Sequence, residues 1–508
     1  MTDTDRVPVV VVGAGPTGAS VSILLAQYGI ETLVLDRWTG VYPQPRAVHM
    51  DDEVCRVVAR MGLADRFAAI SRPSRGLQLR DRVHSVLAEF ARSSAPSANG
   101  YPQANMFDQP EFEGILRAEL LTRRRVELRG GVEVTGVVPL DGAVRVTYRD
   151  ADEVTTTVDA EYVLGCDGAN SFVRSAIGSS MVDLHFDQRW LVVDVDSDAD
   201  LRQWEGVHQV CDPVRAATYM RVGTSRYRWE FQLLDGESAE RFSTLAALEP
   251  LLAPWTRRIG VDGFRLIRVA DYTFRAQIAD HWRHGNVFIL GDAAHLTPPF
   301  IGQGMGAGLR DAHNLAWKLA GVLRRDLPAS ILDSYEDERK PHARAMIRLA
   351  LLIGRLMTAG GEVGDALRRV VVPRLGLVPG IRHRVVDSST PALHRSALIG
   401  RRRGPRSLAG TLCPNPTLPD GHRLDDVLGT GFALVTTVRL TPEQHTTVER
   451  RGATAYYAVP GSELAAWLRR GRTTTALVRP DRTVMATSRR TADLVSAVPN
   501  FGALRARR

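Results

Sequence analysis

The amino-acid sequence predicts a multidomain α/β protein built on a parallel sheet. Its 508 residues exceed what one hydrophobic core usually holds, so two or three domains are expected. Residues 7–12 form an apolar, β-branched run typical of a buried parallel strand, and residues 19–28 have the pattern of a helix. Residues 32–35 then repeat the strand pattern. Strands that alternate with helices in this way favour a sheet with helices packed on its faces.

The composition is that of an ordinary soluble protein. The net charge of +8 is carried almost wholly by arginine, since Lys318 and Lys340 are the only lysines, and the basic residues are interleaved with 57 acidic ones. This interleaving argues against nucleic-acid binding. No signal-like segment is visible, and the most apolar stretch, residues 349–357, is shorter than the ~20 residues of a membrane span. The four cysteines have neither CxxC nor metal-ligand spacing, so we expect a cytoplasmic protein without a metal site.

A glycine-rich turn between the first strand and helix predicts a dinucleotide site. In the GxGxxG pattern, Gly13 permits a tight turn, Gly15 lets the backbone approach a pyrophosphate, and Gly18 lets the helix pack against the strand. The pyrophosphate then lies at the positive helix N-terminus. Asp36, at the end of the second strand, suits the ribose hydroxyls and would repel the 2′-phosphate of NADP, which leaves FAD and NAD. The candidate contacts are Gly13, Gly15, Pro16, Thr17, Gly18, Asp36 and Arg37.

Two further motifs distinguish between these cofactors. Asp167-Gly168 follows a short predicted strand at residues 162–164, and Gly291-Asp292 follows another at residues 286–290. The three motifs in this order resemble the class A flavoprotein monooxygenases, the family of para-hydroxybenzoate hydroxylase and phenol hydroxylase, over the first ~340 residues. A single full GxGxxG motif without CxxC argues against disulfide reductases and for transient nicotinamide binding.

The resemblance implies bound FAD that is reduced by NADPH or NADH and reacts with O₂ to a flavin C4a-hydroperoxide, whose distal hydroxyl is transferred to a phenolic substrate. It also implies that Asp292 binds the flavin-side ribityl chain and that Asp167 serves flavin and nicotinamide binding together. Arg46 and Gln109 match cofactor contacts of the family, with a surface salt bridge and a helix-start role as their alternatives. Pro299 is expected near the reactive edge of the isoalloxazine.

A glycine-rich helix start at residues 302–308 suits a reduced flavin. Its backbone N–H groups and positive dipole end would stabilise the negative charge at the N1/O2 edge. The alternative is that these glycines only permit close helix packing. The candidate residues are Gly302, Gly304, Met305 and Gly306.

Residues 42–53 and 228–231 resemble the 3-(3-hydroxyphenyl)propionate hydroxylase branch, whose relatives act on phenols and polyketide-like compounds. His49 is a candidate base for forming a phenolate, with a structural histidine as the alternative. Arg228 is a candidate for anchoring a carboxylate or steering flavin movement, with an ion pair to Glu230 or another acid as the alternative. Natural-product hydroxylation, epoxidation or Baeyer–Villiger oxygenation, and a flavin-binding module without turnover, remain open.

The resemblance also predicts a domain organisation. A Rossmann-like FAD-binding domain of the glutathione-reductase type is expected at residues 1–179 and 272–385. A β-sheet substrate domain is expected at residues 180–271 with part of 72–104, followed by a linker at 386–420. Residues 421–508 have a βαβαββ pattern that resembles the thioredoxin-like domain of phenol hydroxylase relatives. This domain lacks CxxC, so we expect a packing or homodimerisation role and no redox chemistry.

Overall fold

The computed structural model describes residues 6–43, 47–358, 390–402 and 404–502. The strands are β1 (Arg6–Val12), β2 (Thr32–Asp36), β3 (His49–Asp51), β4 (Ser71–Pro73), β5 (Gly76–Arg80), β6 (Val86–Ala91), β7 (Ala104–Phe107), β8 (Val126–Gly130), β9 (Glu133–Leu140), β10 (Ala143–Arg149), β11 (Thr155–Gly165), β12 (Met181–Asp196), β13 (Val207–Val210), β14 (Ala217–Arg221), β15 (Arg226–Gln232), β16 (Arg265–Ala279), β17 (Arg283–His284), β18 (Val287–Ile289), β19 (His295–Leu296), β20 (Ala433–Thr436), β21 (Thr454–Tyr457), β22 (Thr475–Val478) and β23 (Val484–Ser488). The helices are α1 (Pro16–Gln27), α2 (Asp52–Arg60), α3 (Ala64–Ile70), α4 (Gln109–Thr122), α5 (Phe172–Ala176), α6 (Leu245–Thr256), α7 (Gly304–Leu323), α8 (Ser334–Thr358), α9 (Leu424–Leu428), α10 (Pro442–Arg450), α11 (Glu463–Arg470) and α12 (Thr491–Ala497).

The first sheet has the strand order β17-β18-β11-β1-β2-β8, with β9 and β10 joined to it through β11. β1 is parallel to both β2 and β11, and β11 is parallel to β18. Val9, Val10 and Val11 have no exposed surface, because a central parallel strand is buried on both faces. The predicted valine strand is therefore confirmed, and its carboxyl end leads directly into the glycine-rich turn.

The second sheet has the order β19-β16-β12-β15-β14-β13-β5-β6 and is antiparallel except for the β13–β5 pair. Successive side chains of a strand point to opposite faces. On one face, Val193 and Trp229 pack with Trp255 of α6 in a hydrophobic core. On the other face, Val192 and Glu230 line a large cavity. The sheet therefore forms one wall of that cavity.

A third, three-stranded sheet with the order β3-β7-β4 connects the two larger ones. In it His49 lies opposite Met106, and Asp51 lies opposite Ala104. Asp51 caps α2, because its carboxylate accepts a hydrogen bond from the Val54 amide at 2.9 Å. This small sheet places His49 at the edge of the cavity.

The C-terminal sheet has the order β21-β20-β22-β23, with β20 parallel to β21 and antiparallel to β22. Buried ion pairs join it to the preceding helices. Arg479 bonds both carboxylate oxygens of Glu338 at 2.8 and 3.0 Å, and Lys318 approaches the same carboxylate at 2.9 Å. Arg56 of α2 likewise pairs with Asp425 at 2.6 Å. Across the described ranges, no helix is both long and apolar enough to cross a membrane.

Candidate active site

A cavity of about 630 Å³ lies between the glycine-rich turn, the start of α7 and the second sheet. Its size is that of a site for a small molecule or cofactor. Many of the residues singled out by the sequence line it: Gly15, Pro16, Thr17, His49, Gln109, Arg228, Asp292, Pro299, Gly302, Gly304 and Met305. Gly13, Gly18, Asp36, Arg37, Asp167 and Gly306 are outside this lining, and Arg46 lies outside the described residues.

The glycine-rich turn is closely packed on one side and open on the other. Gly13 has φ +99°, and a Cβ there would lie 2.5 Å from the Cys166 carbonyl oxygen. A Cβ at Gly18 would lie 1.9 Å from the Gly13 carbonyl oxygen. At Gly15, by contrast, a Cβ would meet no protein atom within 4 Å, although Gly15 lines the cavity and directly precedes α1. A ligand phosphate could therefore approach the backbone and the N-terminus of α1 at this point.

Asp36 is buried at the end of β2, where its carboxylate accepts hydrogen bonds from the Ala14 and Trp38 amides. Arg117 lies 3.5 Å from the same group. The carboxylate thus fixes the shape of the glycine-rich turn, besides any contact with a ribose. Arg37 is exposed, and its guanidinium carbon lies 5.6 Å from the centre of the Trp38 ring.

The buried Asp311 carboxylate fixes the position of the Gly291-Asp292 turn. The Asp311 carboxylate accepts a hydrogen bond from the Gly291 amide at 3.1 Å and pairs with His295 and Arg339, both at 2.8 Å. Gly291 has φ +60°, and a Cβ there would lie 2.6 Å from Thr17 Oγ1. The turn is therefore in close contact with α1, while Asp292 is exposed toward the cavity.

Asp167 holds its own loop. Its carboxylate accepts hydrogen bonds from the Ser171 hydroxyl at 2.5 Å and from the Val173 amide at 3.0 Å, at the start of α5. Burial raises the pKa of this carboxyl, and those hydrogen bonds oppose the rise. The neighbouring Gly168 and Asn170 line the cavity in its place.

The start of α7 presents backbone amides that have no acceptor among the described residues. The Ala307 amide donates to the Gln303 carbonyl at 2.9 Å, so the amides of Gly304, Met305 and Gly306 precede the first helical bond. Met305 lines the cavity. A Cβ at Gly306 would instead lie 3.0 Å from the Val54 side chain, which fits the packing alternative for that glycine.

The loop before α7 is fixed by a charged network around Asp51. Gln303 Nε2 and Arg310 Nη2 donate to the Asp51 carboxylate at 2.8 and 2.5 Å. Gly302 has φ +63°, and a Cβ there would lie 2.9 Å from the His49 side chain. The network therefore sets both the helix start and the position of the neighbouring histidine.

His49 and Gln109 both line the cavity. His49 Nδ1 lies 3.4 Å from the Gly302 carbonyl oxygen, and burial lowers the pKa of the imidazole below its usual value. Gln109 is the first residue of α4; its side-chain oxygen accepts from the Ala47 amide, and its nitrogen donates to Glu113. Gln109 therefore holds the chain that leads to His49.

The alternative to a binding role for Arg228 is an ion pair with Glu230 or another acid, and the structure shows such a pair with Asp194. Arg228 Nε and Nη2 donate to the two Asp194 oxygens at 2.7 and 3.0 Å, and both side chains are buried. The reason is register, because Arg228 lies directly opposite Asp194 on β12. Glu230 is two residues along the same strand, about 7 Å away by strand rise. Burial alone would lower the pKa of Arg228, but the Asp194 carboxylate outweighs it and raises that pKa.

Several polar residues of the cavity were missed by sequence reasoning. They are Arg92, Gln209, Thr218, Glu230, Arg268 and Gln303. Glu230 carried a signal, because it alternates with aromatic residues in residues 228–231 and so shares a strand face with Arg228. Gln209 carried none, since its place on the wall depends on the pairing of β13 with β14.

These groups fit FAD. The open space at Gly15 and the N-terminus of α1 suit its pyrophosphate, and Asp292 lies in the wall between that end and the start of α7. The free amides of α7 suit the anionic edge of a reduced isoalloxazine. The remaining wall of the cavity is formed by the second sheet.

Comparison with known proteins agrees with this fit. Residues 6–350 match the family described as FAD binding domain. A probable NADH-specific resorcinol 4-hydroxylase of Rhodococcus jostii (strain RHA1) is 36% identical over 353 residues, covering 69% of this chain and 66% of that protein. A 3-(3-hydroxy-phenyl)propionate/3-hydroxycinnamic acid hydroxylase of Burkholderia cenocepacia (strain HI2424) is 33% identical over 447 residues, covering 85% of this chain and 79% of the relative.

Solved structures show the same fold. Aklavinone-11 hydroxylase in complex with FAD and aklavinone has a TM-score of 0.79 at 24% identity, with 98% of both chains covered. The flavin-dependent monooxygenase PieE in complex with FAD and substrate has a TM-score of 0.78 at 20% identity, with 97% of both chains covered. The likeness extends through the C-terminal sheet as well as the first two.

Proposed function

This chain belongs to the class A FAD-dependent aromatic monooxygenases, and we propose that it hydroxylates a phenol with a second substituent in the meta position. One observation carries the proposal: a single cavity joins the residues that fit FAD to a sheet face with buried polar groups. The resorcinol and 3-(3-hydroxyphenyl)propionate named for the two relatives share a meta-substituted phenol ring. The cavity supports a substrate of that kind, since it pairs apolar walls with a few polar side chains.

FAD, once reduced by NADH or NADPH, supplies an activated oxygen atom from O₂. The residues of the chain bind the cofactor and orient the substrate for that reaction. Gly15 and the start of α1 would bind the pyrophosphate, and Asp292 would contact the flavin-side chain. Asp36, which holds the glycine-rich turn through the Ala14 amide, would contact the ribose. The amides of Met305 and its neighbours stabilise negative charge on the ring. Asp167 acts indirectly, by holding the loop that lines the cavity.

Two residues are proposed to act on the substrate side. Arg228, held rigidly by Asp194, provides a fixed positive charge that attracts an anionic substrate group. His49 lies at the edge of the cavity, where it contributes to orientation of the ring or to proton transfer. Phe300 and the other apolar wall residues exclude water.

The domain organisation is proposed on the same basis. Residues 180–271, with part of 72–104, act as the substrate domain, which is supported by the cavity face of the second sheet. Residues 421–508 form a thioredoxin-like packing domain, which is supported by their mixed four-stranded sheet. A cytoplasmic location is supported by the four cysteines, all of them free thiols.

The test measures NADH and NADPH oxidation by the FAD-loaded enzyme with resorcinol, 3-(3-hydroxyphenyl)propionate, unsubstituted phenol and a polycyclic phenol. We expect a meta-substituted phenol to stimulate oxidation most and to give a product heavier by about one oxygen atom. The position of the new hydroxyl separates ring hydroxylation from epoxidation and Baeyer–Villiger oxygenation. Oxidation that none of these phenols stimulates would refute the proposal.

A matched pair of variants tests the FAD site. Gly15→Val adds a side chain into the open space where the pyrophosphate is proposed, without a clash against the protein. Gly40→Val makes the same change at an exposed glycine whose Cβ also meets nothing within 4 Å. We expect the first variant to lose FAD binding and the second to keep it, as measured by flavin fluorescence. Equal FAD affinity in both would place the pyrophosphate elsewhere.

A further inference from the structure

Glu230 occupies the middle of the substrate-side wall. It lies on β15 between Val192 of β12 and Thr218 of β14, and all three residues line the cavity. The alternating Trp229 and Phe231 pack in the core on the other face, so the carboxylate is directed into the cavity. Only 8% of the residue is exposed.

The Glu230 carboxylate has no hydrogen-bond or ion-pair partner within the described ranges. Its neighbour Arg228 is engaged by both oxygens of Asp194. Gln209 of β13 lines the same cavity one strand beyond Thr218, and its side chain instead donates to the Phe300 carbonyl at 2.7 Å. Buried carboxyls without partners are costly, so one that points into a cavity calls for a partner from the ligand.

Two charged groups act on Glu230 most strongly. Burial raises the pKa of this carboxyl to about 7, the positive Arg228 opposes the rise, and the negative Asp194 adds to it. Arg268 of β16 and Arg92 after β6 line the same cavity, and His49 lies on the facing edge. An acid with such a pKa can both accept and return a proton near neutral pH.

We propose that Glu230 is the residue that binds the ring hydroxyl of the substrate and takes its proton. The O–H bond of the phenol breaks, the proton passes to a Glu230 oxygen, and the electron pair stays on the phenolate oxygen. The phenolate ring is more electron-rich and therefore more reactive toward oxygen transfer. Arg228, two residues away on the same face, stabilises the new negative charge. This assignment rests on the proposed function, because it names the group that activates its substrate.

His49 is the rival for this role, and its surroundings differ. Its Nδ1 lies within reach of the Gly302 carbonyl, and its ring packs against Gly302 on the edge of the cavity. Glu230 instead presents an unpaired acceptor at the centre of the wall. The two assignments therefore predict different outcomes for Glu230→Gln. The rate should fall if Glu230 is the base and should be retained if His49 is.

The experiment compares Glu230→Gln and Glu230→Asp with Glu89→Gln, an exposed carboxyl on β6 of the same sheet. In the FAD-loaded wild type we expect kcat/KM for the most active phenol to fall as the pH is lowered through about 7. Glu230→Gln should lose about 10²–10⁴-fold in kcat/KM together with that acid limb. Glu230→Asp should recover part of both, and Glu89→Gln should match the wild type. An acid limb and rate retained by Glu230→Gln would overturn the assignment.

A second readout does not require turnover. 3-Nitrophenol, whose free pKa lies above that of Glu230, is added to each FAD-loaded protein at a pH between the two values, where Glu230 is mostly ionised and the free probe is mostly neutral. Wild type should show the absorption of bound 3-nitrophenolate, and Glu230→Gln should show none. The same spectrum from both proteins, whether neutral or ionised, would overturn the proposal. The proposed function fails separately, when no phenol stimulates NAD(P)H oxidation in the wild type.

Discussion

Replacing Gly308 by alanine tests the close approach of α7 to α1 that places both helix starts at the cavity. A Cβ at Gly308 would lie 2.2 Å from Thr17 Oγ1 and 3.2 Å from Gly291 Cα, whereas ordinary contacts begin at 3.4 Å. The neighbours must therefore separate by more than an ångström at one point. Overpacking of this kind costs about 1–3 kcal/mol. An overlap of more than an ångström puts the cost in the upper half of that range, about 2–3 kcal/mol. The higher helix propensity of alanine returns ~1 kcal/mol, which leaves a net loss of about 1–2 kcal/mol.

The assay is urea denaturation followed by circular dichroism, with FAD in excess. Gly114→Ala in α4 is the matched control, because its Cβ would meet nothing within 4 Å and should stabilise the protein by about 0.5–1 kcal/mol. Adding Thr17→Ala to Gly308→Ala removes the nearest atom, and the next atom of that residue is 3.5 Å away, so most of the loss should be recovered. A Gly308→Ala protein as stable as wild type, or a double variant no more stable than the single one, would refute the reasoning.

Three further outcomes are expected. Arg479→Met should destabilise the protein by about 3–5 kcal/mol, because it leaves Lys318 as the one cation paired with the buried Glu338 among the described residues. A loss below ~1 kcal/mol in urea denaturation would contradict this. Burial raises the pKa of Glu338, but Arg479 and Lys318 outweigh it and hold that pKa at about 2. The stabilising contribution of the Glu338 carboxylate is therefore complete above pH 4.5 and is lost as the pH falls toward 2. Over that range the urea midpoint of wild type should fall more steeply than that of Glu338→Gln. Parallel plots of urea midpoint against pH would contradict the assignment. Gly302 has φ +63° and lies against His49, so Gly302→Ala should introduce ~1–2 kcal/mol of strain and weaken FAD binding about tenfold. An unchanged Kd for FAD in a fluorescence titration would show that the loop tolerates a side chain.

Residues with a local backbone requirement were predictable from the sequence. The left-handed φ of Gly13 and the packing of Gly18 follow from a strand–turn–helix connection that spans only a few residues. The βαβαββ order of strands and helices in the C-terminal region was likewise predicted, because the hydrophobic periods there are regular. The role of Arg228 in binding stays a prediction, while its ion-pair partner was recognised only in the structure.

The sequence by itself determined the α/β class, the FAD family and the glycines required by the tight turn, because each of those depends on residues close together along the chain. Only the tertiary structure decided which distant groups meet. The register between β12 and β15 places Arg228 opposite Asp194, and the Glu230 carboxylate lines the cavity with no partner among the described residues. A shift of one residue in that register would turn the same side chains to the other face, and no local pattern in a single strand specifies its partner.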